Sequence, residues 1–335
     1  PGVFLKMEII NKSSIDIILG SVHIVETERG LTTGKETKIF VDSGGAWWAG
    51  VVDITSSSPL KDDWQWQFLP DEDKNIIKEM GVENIKGGLH SSNSGGISAI
   101  YNPKTRNTLV VSFLTFNRAT GNVTWIYKEG KEILYGWAGC DFAGFQLKPH
   151  KKIISETLFL GFYDDPFSGL EDYAKESARH MKAKISNTIP LGWNSWYGHY
   201  LSITEEDVLT AAKLIRKKFP EYNFSYIQID HGWQYKNICG YWIETNERFP
   251  HGIEWLARKL DRMGFTIGLW IALFLVSEYS PIFKEHPEYL IKDSKGNPYL
   301  VSSRWSWPPY GRVYCLDPTH PGAQRFIKKT LEYLK

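Results

Sequence analysis

With 335 residues the chain can hold two domains with separate cores, and 39 Lys+Arg against 38 Asp+Glu leave a formal net charge of +1. That balance, with no long run of either sign, argues against a nucleic-acid partner. No apolar stretch approaches the ~18 residues of a membrane-spanning helix, so no membrane partner is expected.

Cys140, Cys239 and Cys315 are odd in number, far apart and fit no metal spacing. A reducing, cytoplasmic compartment is expected, and residues 1–7 lack the charged and apolar regions of a secretory signal. Tryptophan is abundant, at 14 where about 4 or 5 would be ordinary. Indoles suit the apolar faces of sugar rings and also ordinary core packing; composition leaves both readings open.

Residues 1–167 read as short strands separated by turns. The apolar runs are Ile15–Leu19, Val22–Glu26, Lys38–Val41, Ile97–Tyr101, Leu109–Phe116, Val123–Lys128 and Ile153–Phe162. Strands at this spacing predict an antiparallel β-sandwich. The Gly/Ser-rich stretch Gly87–Gly96 lacks the Lys-Ser/Thr of a phosphate loop and reads as a surface loop. Trp47-Trp48 and the same-face pair Trp64 and Trp66 could stack on a sugar or pack within a strand face. From Ser168, placed to cap, Leu170, Tyr173, Ala174, Ser177, Met181 and Ile185 take helical spacing. Residues 168–189 are therefore a predicted linker helix, with a boundary at the polar run before Pro190.

In residues 190–335 strand and helix signals alternate. Leu191–Trp196 reads as a strand, and Thr204-Glu205-Glu206-Asp207 is a capping-box pattern opening a helix faced by Val208, Ala211, Ile215 and Phe219. Phe224–Asp230 is a second strand, ending abruptly in Asp230-His231-Gly232-Trp233. Ile253, Leu256, Ala257, Leu260 and Met263 form the next stripe, Phe265–Leu273 a third strand, and Thr319 can cap a last helix. The order predicts parallel βα units. Polar residues at the C-terminal ends of such strands form ligand sites, which singles out Asp230; a plain cap is the competing reading. His199, His231 and His251 lack metal-ligand spacing, and no Gly-x-Gly-x-x-Gly follows a strand, so neither metal nor nucleotide cofactor is expected.

Several motifs then occur in order: Gly192-Trp193-Asn194-Ser195-Trp196, Asp230-His231-Gly232-Trp233-Gln234, Arg248-Phe249-Pro250-His251-Gly252, Gly268-Leu269-Trp270 and Arg312-Val313-Tyr314-Cys315-Leu316-Asp317. Together they resemble the α-galactosidases of glycoside hydrolase family 36, with kinship to family 27. The resemblance implies a β-sandwich followed by a (β/α)8 TIM barrel, of which only about the first three βα units lie in this chain, ending before strand four. It implies retaining hydrolysis of terminal α-galactosides, with an α-galactoside oligosaccharide as partner, no cofactor, and homo-oligomerisation left open. It places Trp196, Asp230, Trp270 and Arg312 in the sugar pocket. At His231 the family's second Asp is replaced, so His231 either bonds a sugar hydroxyl or faces away and caps the following loop. No catalytic residue is expected within the chain, both carboxylates being expected beyond Lys335; Asp317 reads as a turn or cap residue. A galactosyl-transferring relative of the raffinose-synthase kind and a non-catalytic carbohydrate-binding protein remain as alternatives.

Overall fold

The computed structural model describes residues 2–31, 36–42, 49–53, 89–128, 132–186, 189–293, 295–302 and 311–335. They divide into two compact units, Pro1–Ile185 and Ser186–Lys335. Trp47, Trp48, Trp64 and Trp66 lie outside the described residues.

The first unit is antiparallel. Its strands are β1 (Val3–Leu5), β2 (Glu8–Ile10), β3 (Ile17–Leu31), β4 (Lys38–Asp42), β5 (Ala49–Asp53) and β6 (Leu89–Ser94). Then follow β7 (Ile97–Tyr101), β8 (Thr108–Phe113), β9 (Thr120–Lys128), β10 (Glu132–Leu147), β11 (Lys152–Ile154) and β12 (Leu158–Tyr163). A six-stranded sheet runs β1-β12-β8-β7-β4-β5 and a four-stranded sheet runs β3-β10-β9-β6. Alternation along β4 turns Ile39 and Val41 inward, where they join Ile100, Val111 and Phe113 from the same sheet and Val123, Trp125 and Cys140 from the other. β8 is buried along its whole length. Helix α1 (Pro166–Met181) explains this by packing on the far face of the six-stranded sheet, where the Tyr173 hydroxyl donates to the Phe113 carbonyl at 3.1 Å.

Three expectations change here. Gly87–Gly96 is not simply a surface loop, because Leu89–Ser94 pairs with β9 as an edge strand. The cap of α1 is Asp165, whose carboxylate accepts from the Ser168 N–H at 2.8 Å; Ser168 lies inside the first turn. Ile17–Leu19 and Val22–Glu26 are parts of one long strand, β3, which runs through Gly20 and Ser21 without a break, while Ile15 lies before it.

The second unit begins with parallel βα units. Strands β13 (Gly192–Asn194), β14 (Tyr226–Ile229) and β15 (Thr266–Leu269) lie side by side in that order, with Trp193 opposite Ile227 and Ile227 opposite Ile267. A short helix, α2 (Trp196–His199), and then α3 (Glu205–Lys218) follow β13; α4 (Gly252–Arg262) follows β14. The capping box holds: the Asp207 N–H donates to Thr204 Oγ1 at 3.1 Å and the Thr204 N–H to Asp207 Oδ2 at 3.0 Å. Val208, Ala212, Leu256 and Leu260 bury against Ile227 and Ile229. Tyr226 and Gln228, on the alternate face of β14, are exposed. Between β15 and the last helix the chain makes a small antiparallel sheet of β16 (Leu275–Ser277), β17 (Leu300–Ser302) and β18 (Val313–Cys315), ordered β16-β18-β17. The sequence pattern did not announce it. A short helix, α5 (Pro281–Glu285), lies between β16 and β17 in the chain, and the last helix, α6 (Pro321–Leu334), follows β18. The cap of α6 is His320, whose ring accepts from the Gly322 N–H at 3.1 Å, rather than Thr319.

Candidate functional site

The C-terminal ends of β13, β14 and β15 carry Asn194, Asp230 and Trp270. Two hydrogen bonds lock the first two ends together: the Asp230 N–H donates to Ser195 Oγ at 2.9 Å, and the Ser195 N–H to the Gln228 carbonyl at 3.1 Å. Asn194 then reads both neighbours, accepting from the Trp196 N–H at 2.7 Å and donating to Asp230 Oδ2 at 3.1 Å. The third end is tied in by the Trp270 N–H, which donates to the Ile229 carbonyl at 2.9 Å.

Three rings stack across these ends. The His231 imidazole lies 4.5 Å from the Trp270 ring, 14° from parallel, and 6.4 Å from the Trp196 ring, 18° from parallel. Trp270 is held from behind: Trp233 Nε1 donates to its carbonyl at 3.1 Å, and the Trp242 ring meets it edge-on at 5.9 Å. Trp233 and Trp242 are fully buried, so part of the tryptophan excess is structural.

His231 is 2% exposed, and its Nε2 bonds the Asn237 carbonyl at 3.0 Å. A carbonyl only accepts, so Nε2 carries the proton and the neutral ring leaves Nδ1 as an acceptor. Burial lowers the pKa of His231; the Asn237 carbonyl and the Asp230 charge pull the other way without reversing it. The ring thus belongs to the aromatic stack and also caps the loop that follows it. Asp230 is half-buried, with one oxygen engaged by Asn194 and the other accepting from the His231 N–H at 2.8 Å. A carboxylate has about four acceptor positions, so each oxygen keeps one for a further donor.

The loop from Gly232 to Phe249 is braced from within. The Asn246 amide donates to the Gly232 and Gln234 carbonyls and to Asn237 Oδ1, at 2.7, 3.2 and 2.9 Å. Arg248 donates to the Ile203 and Gly232 carbonyls and to Asn237 Oδ1, at 3.2, 3.0 and 2.8 Å. Lys236 and Asn237, at φ 47° and 57°, turn the chain so that the Asn237 carbonyl meets His231.

Of the residues expected in the pocket, Trp196, Asp230, His231 and Trp270 are brought together. Arg312 precedes β18, where its N–H donates to Glu278 Oε1 at 2.8 Å and its carbonyl accepts from the Glu278 N–H at 3.0 Å; these bonds fix its backbone. Asp317 Oδ1 accepts from the Thr319 N–H at 2.8 Å and hydroxyl at 2.6 Å, which makes it a turn residue. Asn194 and Ser195 were passed over although they lie inside the first motif; their place at a strand end was the available signal. Among the described residues no three His, Cys, Asp or Glu side chains could hold a metal ion.

The melibiase family profile matches residues 159–334, a span that includes every residue of this cluster. The α-galactosidase AgaA of Geobacillus stearothermophilus is 22% identical over 153 residues, 43% of this chain and 20% of that protein. A probable α-galactosidase B of Talaromyces emersonii is 34% identical over 85 residues, 24% of this chain and 19% of the relative. The chain thus aligns with about a fifth of the length of these curated relatives. In fold it is similar to TtGalA, an α-galactosidase from Thermus thermophilus in complex with p-nitrophenyl α-D-galactopyranoside. The TM-score is 0.60 at 21% identity, covering 99% of this chain and 62% of that one. The family 36 enzyme AgaA in complex with stachyose also matches, at a TM-score of 0.60 and 15% identity, over 99% of this chain and 43% of that one. With more than half of its length matched by the family profile, the chain belongs to the melibiase family, the α-galactosidase-type glycoside hydrolases of families 36 and 27.

Proposed function

We propose that the complete protein is a retaining α-galactosidase acting on terminal α-galactosides, and that this chain supplies part of its sugar pocket. The observation that carries this reading is Asp230: a strand-end carboxylate with an acceptor position left on each oxygen, beside the Trp196–His231–Trp270 stack. An ionised acceptor beside indole faces suits a sugar, whose hydroxyls donate and whose ring presents C–H bonds. Relatives captured with stachyose and raffinose support the substrate class. The parallel strands with one uncovered face fit the first three units of a (β/α)8 barrel, and the packed antiparallel sheets fit a β-sandwich ahead of it.

Retaining hydrolysis needs a nucleophile and an acid/base carboxyl about 5–5.5 Å apart. We assign neither to this chain, because Asp230 is placed to bind hydroxyls and Asp317 holds a turn. Hydrolysis rather than galactosyl transfer is the reading tested. In the complete protein, Asp230→Asn is expected to lower kcat/KM on p-nitrophenyl α-D-galactopyranoside by roughly 30- to 1,000-fold, about 2–4 kcal/mol. Unchanged kcat/KM would remove Asp230 from the pocket. The 335-residue chain alone is expected to give no turnover; turnover abolished by Asp317→Asn would make Asp317 the nucleophile instead.

A further inference from the structure

A cleft of about 320 Å³ opens in the first unit between the turn joining β8 to β9 and the middle of β10. Its floor and rim include Phe116, Asn117, Arg118, Thr120 and Asp141. Ligand pockets begin at roughly 300 Å³, so a single small ring is the size it can hold.

Its side chains are available while its backbone is fixed. Phe116 is 43% exposed, and its ring rests on Gly96, where a Cβ would come within 2.7 Å of the ring. Glycine at that position, with φ at +103°, is what leaves room for the ring. The Asn117 amide and the Arg118 guanidinium are exposed and make no side-chain bond among the described residues. Beneath them Glu156, 3% exposed, accepts from the Arg118 N–H at 2.6 Å and the Ala119 N–H at 3.1 Å. Asp141 is the cross-strand partner of Thr120, and one of its oxygens accepts from the Ala143 N–H at 2.8 Å. Just after it β10 shifts register between Asp141 and Phe145, with Ala143 at φ 50°. Bulges and non-glycine residues in this left-handed region gather where a chain must aim side chains at a ligand.

We propose that this cleft is a second saccharide-binding site. A sugar ring packs on Phe116, and its hydroxyls bond Arg118, Asn117 and the open oxygen of Asp141. A cation and an anion on one rim favour a neutral polyol over a phosphate or carboxylate, which Asp141 would repel. Fixed backbone beneath free polar groups lowers the ordering cost of binding. The choice of a sugar rests on the function proposed above, but the cleft lies in the other unit, so the two can fail separately.

The test is calorimetric titration of raffinose into the 335-residue chain and its variants. Asp230→Asn is expected to retain one binding event. Adding Arg118→Ala or Phe116→Ala to it weakens that event at least tenfold, and Phe116→Trp preserves it. All of these positions are exposed or half-buried, and thermal midpoints check that each variant folds. Binding abolished by Asp230→Asn alone, or indifferent to Arg118→Ala and Phe116→Ala, overturns the proposal while sparing the function read from Asp230. Absence of binding in every form also overturns it.

Discussion

Glu156, between β11 and β12, and Asp230, at the end of β14, are both acids held against a turn of backbone, and they differ in what is left over. Glu156 is 3% exposed, and the Thr115 hydroxyl and the N–H groups of Asn117, Arg118 and Ala119 converge on its carboxylate. Burial pushes its pKa up, but these donors outweigh burial and hold it below the usual range. Asp230 is half-buried and takes one bond on each oxygen, beside three stacked rings. Four donors saturate the first carboxylate and make it a fastener. Two donors leave the second oriented and still able to accept, which is what a binding group requires.

The comparison breaks first if the two acids exchange behaviour. Asp230→Asn should lower kcat/KM as given above while leaving the thermal midpoint nearly unchanged. Glu156→Gln should do the reverse, losing about 2–3 kcal/mol of stability because a buried set of charge-assisted bonds is left mismatched. For a unit of this size that is roughly 5–10 °C in midpoint, with raffinose affinity at Asp230 unchanged. The pH dependence follows from the lowered pKa. The stability from Glu156 is present above its ordinary value of 4.5 and is lost as pH falls through the lower folded value. The gap between wild type and Glu156→Gln should therefore close below about pH 4; a gap constant from pH 7 to 3 would show that shape rather than charge is responsible.

Smaller effects sharpen the contrast within the second unit. Thr204→Ala removes the capping box of α3 and should cost about 1 kcal/mol of stability with no change in sugar binding. His231→Phe keeps a ring between the two indoles and loses the bond to Asn237, a cost of about 1 kcal/mol or less at pH 8. The sign then turns with pH. A buried imidazole with a lowered pKa contributes stability above its ordinary value of 6.5, and that contribution is lost as pH falls through the folded value. Wild type should approach or fall below His231→Phe in midpoint between about pH 6.5 and 5; parallel curves would mean that His231 does not titrate in this range.

Much of this was legible in the sequence. Lys38–Val41, Ile97–Tyr101 and Phe224–Asp230 show as strands because alternation or a short apolar run is enough to mark them. β10 escaped because its glycines look like turn residues. Gly136 is there for another reason: a Cβ would come within 2.3 Å of the Trp125 ring on the neighbouring strand. The small antiparallel sheet of β16, β17 and β18 escaped because strands of three residues are too short to show a period. At the site, Asp230 and the two indoles could be named from their places at strand ends. The stacking of His231 between those indoles could not, since it depends on the left-handed turn at Lys236 and Asn237. Arg312 was placed in the pocket by likeness of motif alone, and what the structure adds is the anchoring of its backbone N–H on the Glu278 carboxylate.

The bracing of the loop after β14 has a consequence for engineering. Asn246 and Arg248 each bond both ends of the segment they close, reaching back to Gly232 and Asn237. A stretch cross-linked in this way holds much of its own conformation, while Trp233 ties it to the Trp270 carbonyl and Trp233, Cys239 and Trp242 seat it in the core with Ile227 and Ile229. Moved as one block, Asp230 through Arg248, it should keep its shape only on a parallel βα scaffold that supplies carbonyls at the places of Ile203 and Trp270 and an apolar seat for Trp233 and Trp242. Insertions within it should be far less welcome than in most surface loops, because any added residue must break one of those cross-links.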